Sequence, residues 1–417
     1  MSFSSRATPV ELRDVIRRIE ERTRLEGAAR RPTSSLQEMV GGEEEETDRG
    51  CLLVVRRRFP RGHAHGVQPL ASARELAPGP LALLARAGGP PPAADRLAYL
   101  DTETTGLAGG TGTYAFMVGI GFFDGAEFEV RQYFMRDLDE EPALLAALDA
   151  LLGRFEGLVT YNGTGFDLPL LETRFVLGRR RWPEETFHLD LLPAARRLWR
   201  DRLVDCRLGT VESQVLGVAR PNDLPGALIP LAYFDYLRRK RPGDIPRVFE
   251  HNRHDILSLA ALTGWVAGAV QRAPAPELDP WALAGVGRLW EATDPERGEA
   301  CYRMALEQGL QSPARERLLL RLAWCEKRRR RWDKARALCE EASRSQPRFD
   351  PRPWEEIAKI DEHRVRDLPR ARAVVEEAIA LAQSSAVPAR LLEGLRYRLA
   401  RLRRRDERLS VASSLTS

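Results

Sequence analysis

The sequence has few cysteines, almost no lysine and no long apolar run, and each shortage excludes a class of protein. Its five cysteines include no CxxC pair, so the spacing of a zinc knuckle or a disulfide framework is missing. The longest mainly apolar run, residues 256–270, is shorter than the roughly 20 residues of a membrane-spanning helix. No charged and then apolar leader opens the chain. We therefore expect a soluble cytoplasmic protein with reduced thiols and no membrane partner.

The overall charge supports a polyanionic partner only weakly. The net charge is +5 and the pI is near 9.1, yet only four of the 65 basic residues are lysine. An arginine-rich composition is typical of a GC-rich genome, which raises the arginine content for reasons unrelated to binding. At 417 residues, of which 43% are hydrophobic, the chain is long enough for two or three domains with real cores.

Two carboxylates follow a short apolar segment near residue 100. Residues 97–100 read as a buried strand, and Asp101 and Glu103 come next, one residue apart, before a Thr-Gly turn. Because side chains alternate along a strand, both carboxylates lie on one face. Like charges this close repel each other, so the pair indicates a site where a cation lies between them.

The surrounding pattern predicts an α/β fold. Asp124-Gly125 between two β-rich runs is typical of a hairpin. Strands are predicted at 97–101, 113–123, 126–134 and 158–161, with helices at 142–155 and from 168. Three strands, a helix, a strand and further helices predict a mixed sheet flanked by helices, which extends to about residue 270.

Beyond residue 279 the sequence is helical and repetitive. Small, large and small residues recur at a 4-then-3 spacing about every 36 residues, namely Gly298, Tyr302 and Ala305, then Ala335, Cys339 and Ala342, then Ala371, Val375 and Ala378. This period is typical of tetratricopeptide repeats, whose paired helices pack closely through such positions. We expect an all-α repeat region that docks a protein partner.

Further acidic residues lie near predicted helix starts. Asp167 follows the strand at 158–161, and taken alone it favours a helix cap over a metal ligand. His251 and Asp255 are four residues apart at the start of the apolar helix, so they share a face. We interpret Asp190 as a helix cap and Tyr161 as a core residue.

Taken together, these residues resemble the DEDD exonucleases of the ribonuclease H-like superfamily. The four acidic residues and the histidine lie in order within residues 95–270. The runs at 109–116, 188–191, 224–230 and 251–255 narrow the resemblance to the YprB-like family. Members of that family are implicated as metal-dependent exonucleases in bacterial DNA repair, so the resemblance implies a 3′–5′ exonuclease that acts on DNA.

The resemblance also implies a two-metal mechanism. Two Mg²⁺ or Mn²⁺ ions would be held by oxygen ligands, and Asp101 would touch both. Glu103 and Asp255 would lie on the nucleophile side, and Asp167 on the other. His251 would take the proton from the attacking water.

One position departs from the better-known members of the superfamily. Their general base is a histidine five residues before the last aspartate or a tyrosine four before it. Here Glu250 stands five before Asp255 and His251 four before it, so the histidine occupies the tyrosine spacing.

Other residues are expected to contact the substrate. We predict this role for Thr104, Gly106, Asn162 and Phe166, and the Phe166 ring could stack on a terminal base. The loop at 109–112 suits either a close backbone approach to a nucleotide or an ordinary strand connection.

These expectations divide the chain into four parts. They are an N-terminal segment (residues 1–49) made of a helix at 8–25 and an acidic flexible linker, a ribonuclease H-like exonuclease domain with a short N-terminal extension (50–275), tetratricopeptide-like repeats (280–405) and a flexible tail (406–417). A helicase is an expected partner only through the resemblance. Two alternatives stay open, an exoribonuclease that uses the same site and a non-catalytic nucleic-acid-binding scaffold.

Overall fold

A computed structural model describes most of the chain. It covers residues 35–85, 89–106, 112–183, 187–344, 348–385 and 387–414, with side chains described up to residue 408. The helix predicted at 8–25 and residues 109–111 of the glycine-rich loop lie outside the described residues. Within the described ranges, no helix is both long enough and apolar enough to cross a membrane.

Seven strands form one mixed sheet, and two more form a small hairpin. The strands are β1 (Glu43–Thr47), β2 (Gly50–Phe59), β3 (Ala64–His65), β4 (Gln68–Pro69), β5 (Leu97–Thr104), β6 (Ala115–Asp124), β7 (Glu127–Phe134), β8 (Gly157–Thr160) and β9 (Phe187–Asp190). The order in the large sheet is β1-β2-β7-β6-β5-β8-β9, and β3 pairs with β4. In this order, the neighbouring pairs β1–β2, β2–β7, β7–β6 and β6–β5 are antiparallel, whereas β5–β8 and β8–β9 are parallel. The predicted Asp124-Gly125 hairpin joins β6 to β7.

Helices flank the sheet and then continue alone. Around the sheet lie α1 (Leu36–Val40), α2 (Pro78–Leu84), α3 (Glu141–Leu152), α4 (Asp167–Leu177), α5 (Leu191–Trp199), α6 (Leu208–Val211), which continues as a π-helix (Glu212–Leu216), α7 (Ile229–Arg239) and α8 (Ile245–Arg272). After them come α9 (Pro280–Trp290), α10 (Pro295–Glu307), α11 (Ala314–Arg328), α12 (Trp332–Arg344), α13 (Pro351–Ile360), α14 (Leu368–Ser384) and α15 (Ala389–Ser414). The predicted fold class, a mixed sheet flanked by helices and followed by an all-helical region, is confirmed.

The two faces of the sheet bury different helices. Tyr99 of β5 belongs to a core that includes Ile256 of α8, whereas the next residue, Leu100, packs on the opposite face with α3 and α4. Because side chains alternate along a strand, Asp101 and Glu103 lie on the same face of β5 as Tyr99, which is the face toward α8. The sheet thus aims both carboxylates at one long helix.

The recurring small, large and small residues of the helical region are all buried. They lie on α10, α12 and α14, with three residues on each helix. Small side chains at these positions allow adjacent helices to approach closely. The assignment of this region to tetratricopeptide repeats stays a prediction.

Both segments expected to be flexible include regular structure. Residues 43–46, assigned to an acidic linker, lie in β1, where Glu43 and Glu45 form ion pairs with Arg56 of the neighbouring strand. Charge that looks unpaired in the sequence is therefore paired across the sheet. At the other end, α15 continues through the expected tail to Ser414.

The helix expected to start close to the histidine begins earlier. α8 begins at Ile245, so His251 and Asp255 lie within the helix rather than at its start. Buried Val248 and Phe249 add an apolar turn before the charged residues, and they pack against α7 and the sheet. This extra turn holds the site residues rigidly.

Gly119 should not tolerate a side chain. It pairs with Asp101 across β5 and β6, and an added Cβ would come within 2.2 Å of Oδ1 of the fully buried Asn252. We expect Gly119→Ala to lower the free energy of unfolding by about 1–3 kcal/mol through overpacking, measured by urea denaturation. Gly62→Ala is the control, since nothing lies within 4 Å of its added Cβ. Equal losses in the two variants would contradict this packing.

Candidate metal centre

The candidate site lies where the parallel strands end. Asp101 and Glu103 are at the carboxyl end of β5, and Asp167 opens α4 after the adjacent parallel strand β8. α8 passes over the same edge and brings Asp255 to it. The structure places all four predicted carboxylates close enough that the charges of the other three raise the pKa of Asp101. The edge therefore concentrates negative charge.

Asp167 is held by the sheet and does not cap a helix. Its carboxylate is 5% exposed and accepts a hydrogen bond from Thr102 Oγ1 at 2.5 Å. Phe166 occupies the cap position of α4, and no side chain caps the helix there. Thr102 lies between Asp101 and Glu103 in sequence but points to the opposite face, so β5 contacts Asp167 through the residue between its two carboxylates.

Burial raises the pKa values of three of the carboxyl groups. Burial, followed by the charges of its neighbours, raises the pKa of Asp101 well above its ordinary value. Burial raises the pKa of Glu103 to about 8 and that of Asp167 to about 6. Desolvation and like charges both favour the neutral acid, so ionising this cluster requires a counter-charge.

The residues present fit divalent cations. Oε1 of Glu103 is buried and lacks a hydrogen-bond partner, although the hydrogen bonds of most buried carboxylates are satisfied. Ligand atoms of Glu103, His251 and Asp255 lie within 4.8 Å of one another. Carboxylate oxygens around an unsatisfied buried oxygen are the donor set that Mg²⁺ or Mn²⁺ prefers.

His251 bridges two carboxylates. Its Nδ1 lies 2.9 Å from Oδ1 of Asp223, and its Nε2 lies 3.6 Å from Oδ2 of Asp255, so the predicted shared face of the helix is present. Burial alone would lower the pKa of His251, but the hydrogen bond to Asp223 and the charges of Asp255 and Glu103 raise it to about 9. Without a cation in the cluster, the imidazole is therefore protonated at neutral pH.

Three residues of the site had no predicted role. Arg220 donates to Asp255, Asp223 accepts from His251, and Asn252 Nδ2 donates to Asp101 Oδ2 at 2.9 Å. Asn252 does carry a signal in the sequence, because it is a polar residue on the buried face of an apolar helix. Arg220 and Asp223 lie in the connection between the π-helix and α7, where the sequence has no helical or strand periodicity from which their contacts could be predicted.

The predicted substrate contacts lie at the end of β5 and in the connections that follow β5 and β8. Thr104 is buried and its hydroxyl donates to the Gly106 carbonyl, so it shapes the turn after β5. Asn162 is exposed with a left-handed φ of 68°, and Phe166 is half-buried beside Asp167. Only Asn162 and Phe166 are placed where their side chains are open to a ligand.

Two neighbouring residues have structural roles. Asp190 caps α5 by accepting from the Leu192 amide, and it also accepts from the Asn162 amide, which fixes the loop after β8. The Tyr161 hydroxyl donates to the Cys206 carbonyl while its ring packs against the core. Both agree with their predicted cap and core roles.

Comparisons with known proteins identify the class and then the family. Residues 98–267, which include every site residue above, match the RNase_H superfamily. The fold and this match define a nuclease-type, nucleic-acid-processing domain of a class that typically uses divalent metals. Over 319 residues the chain is 33% identical to the uncharacterized protein YprB of Bacillus subtilis (strain 168), covering 75% of each chain. The chain belongs to the YprB family.

The solved structures that the chain resembles include a DNA polymerase. It is the family B DNA polymerase from the hyperthermophilic archaeon Pyrobaculum calidifontis, at 16% identity and a TM-score of 0.33. The match covers 66% of this chain and 36% of the polymerase chain.

The charge cluster should make stability fall with rising pH when EDTA is present. The pKa of folded Glu103, about 8, lies above its ordinary 4.5, so the folded state binds more protons than the unfolded state between these values. The stabilisation is present below the lower pKa and is lost as the pH rises through the higher one. His251, raised from 6.5 to about 9, acts in the same direction at higher pH. Urea denaturation across this range measures the slope.

Glu103→Gln is the matched variant, because it keeps the shape and removes the titration. Its slope should be shallower, and Mn²⁺ at pH 8 should restore stability to the wild type more than to the variant. An unfolding free energy that rises with pH through this window in EDTA would show that the carboxylates are not buried together.

Proposed function

We propose that this protein is a metal-dependent 3′–5′ exonuclease that hydrolyses DNA phosphodiester bonds, in the setting of DNA repair. The observation that carries the proposal is the convergence of four carboxylates, those of Asp101, Glu103, Asp167 and Asp255, one of which has a buried oxygen, Glu103 Oε1, without a hydrogen-bond partner. Such a cluster is costly to ionise unless cations compensate it. A non-catalytic scaffold would gain nothing from a carboxylate cluster that is so unfavourable to ionise.

The four carboxylates would hold two Mg²⁺ or Mn²⁺ ions. Bound there, the ions would supply Lewis acidity at the scissile phosphate and offset the charge that develops on the leaving oxygen. Asn252 and Thr102 fix Asp101 and Asp167, so the ligand oxygens keep their positions when the site is empty of substrate. This preorganisation lowers the cost of assembling the site for reaction.

His251 would accept the proton of the attacking water. Asp223 accepts from Nδ1 of His251, so Nε2 faces Asp255 and the cluster. The high pKa of His251 depends partly on the negative charges of Asp255 and Glu103, and cations that offset those charges would lower it toward neutrality. The same ring would then be neutral and able to act as a base in the loaded enzyme.

The remaining assignments rest on placement. Asn162 and Phe166 would contact the terminal nucleotide, with Phe166 stacking on its base. Thr104 and Gly106 would shape the neighbouring turn. The exonuclease domain would span about residues 50–275. The repeats at 280–405 would recruit a protein partner, for which the family resemblance suggests a helicase. No described residue distinguishes the 2′-hydroxyl group, so the proposal of DNA rather than RNA as the substrate rests on the family resemblance alone.

Nucleotide release should depend on the cation and on the carboxylates. With Mg²⁺ or Mn²⁺, we expect immediate release of the label from 3′-labelled single-stranded DNA and progressively shorter products from 5′-labelled DNA, both abolished by EDTA and by Asp101→Ala. His251→Ala should lose about 10²- to 10⁴-fold in kcat, the usual contribution of a general base. Matched 5′-labelled DNA and RNA substrates test polarity and sugar preference.

His363→Ala is the control, because this exposed histidine lies in the helical region. Faster degradation of the RNA would favour the exoribonuclease. If wild type and Asp101→Ala bind DNA equally and neither cleaves it with any cation, the protein is a scaffold.

Asp223 should set the pH range of the reaction as a positioning residue. Asp223→Asn removes a charge that raises the pKa of His251, so this pKa should fall. The acidic limb of the kcat profile should then move to lower pH, because the base becomes neutral earlier. Rates measured across pH 5–9, roughly the range of histidine titration, test this expectation. A uniform loss without a shift of the limb would mean that Asp223 acts only on folding.

A further inference from the structure

A second group of ligand-type side chains lies next to the candidate metal centre, and Arg220, which donates to both Asp255 and Glu212, connects the two. His65, Glu212 and His254 place one ligand atom each within 4.8 Å of one another. They come from the β3–β4 hairpin, the π-helix and α8, three segments far apart in the sequence. His65 is 4% exposed and Glu212 is 1% exposed, whereas His254 is half-buried with its Nδ1 atom inside the protein.

We propose that His65, Glu212 and His254 bind a zinc ion, with a water molecule as the fourth ligand of a tetrahedral site. Two imidazoles and one carboxylate are a common protein donor set for Zn²⁺, whereas Mg²⁺ favours oxygen ligands. The proposal is separate from the proposed nuclease function, because none of the three residues belongs to the four-carboxylate cluster. A site without cysteine is also compatible with the absence of a CxxC pair.

An unsatisfied atom supports the site. Nδ1 of His254 is buried and has no hydrogen-bond partner, although an unpaired polar atom in the interior is costly. The rings of His65 and His254 lie 5.7 Å apart at an angle of 47°, which is tilted rather than stacked.

The neighbours of the cluster provide the support that metal ligands need. The Ser258 hydroxyl lies 2.8 Å from Nε2 of His65 and also hydrogen-bonds to Glu212, so one buried side chain orients two of the ligands. Arg220 donates to both oxygens of Glu212. Groups that hold ligands in this way fix their orientation and raise metal affinity.

The backbone around His65 is built for close approach. Gly66 has a φ of +63°, and an added Cβ would come within 1.9 Å of the Leu216 carbonyl oxygen. The Val67 amide donates to the same oxygen at 2.8 Å. The hairpin is therefore pressed against the end of the π-helix, and its glycine keeps His65 beside Glu212. A metal would join both segments to α8.

Metal content and a cobalt spectrum test the proposal on the full chain. Protein incubated with Zn²⁺ and dialysed should retain about one equivalent, measured by emission spectrometry. Co²⁺ in its place should give the visible absorption of a tetrahedral site. Both signals should be lost in His254→Ala and His65→Ala, and they should persist in Asp101→Asn/Glu103→Gln, which alters the four-carboxylate cluster. His363→Ala is the control for nonspecific histidine binding.

The outcomes separate the two sites. Retained zinc in His254→Ala together with loss in Asp101→Asn/Glu103→Gln would place the zinc in the nuclease cluster and overturn the proposal. If the histidine variants do not fold, calorimetric titration of Asp101→Asn/Glu103→Gln with Zn²⁺ decides. One binding event at micromolar or lower concentration supports the second site, and no binding overturns it. Neither result depends on whether the protein cleaves DNA.

Discussion

Repulsion among buried carboxylates is the constraint on which the organisation of this protein depends. Asp101 and Glu103 share one face of a central strand, and Asp255 comes to them from α8. The fold partly offsets their charge with hydrogen bonds from Asn252 and with the guanidinium of Arg220. It leaves the rest uncompensated, as the high pKa values show. A buried cluster of this kind is costly to ionise without a counter-charge, and this cost is the physical basis of the proposed cation site.

Sheet topology explains why these residues meet. The β5 and β8 strands run parallel, so their carboxyl ends lie at the same edge. β5 carries Asp101 and Glu103 at this end, and the connection after β8 leads to Asp167. The antiparallel side of the sheet provides Gly119, whose missing side chain leaves room for Asn252. The site thus draws on both halves of a mixed sheet.

Local periodicity made part of this predictable. The alternation that pairs Asp101 with Glu103 and the four-residue spacing of His251 and Asp255 are short-range rules, and the structure has both contacts. Arg220 and Asp223 escaped prediction because their partners are distant in sequence. The strand formed by Glu43–Thr47 was missed for another reason: its run of glutamates resembles a charged linker, although its partner strand follows it directly. The early start of α8 was missed since the buried turn before His251 gains its stability from tertiary packing.

The long helix α8 has a consequence for how this sequence can vary. Between His251 and Ser258, α8 contributes His251 and Asp255 to one cluster and His254 to the other, so each of these positions must keep its direction around the helix axis. Inserting or deleting a single residue there would turn the following positions by about 100° and misalign both clusters at once. Outward-facing residues in this segment can be exchanged, but its length is fixed. The loops at either end of α8 can absorb such changes instead.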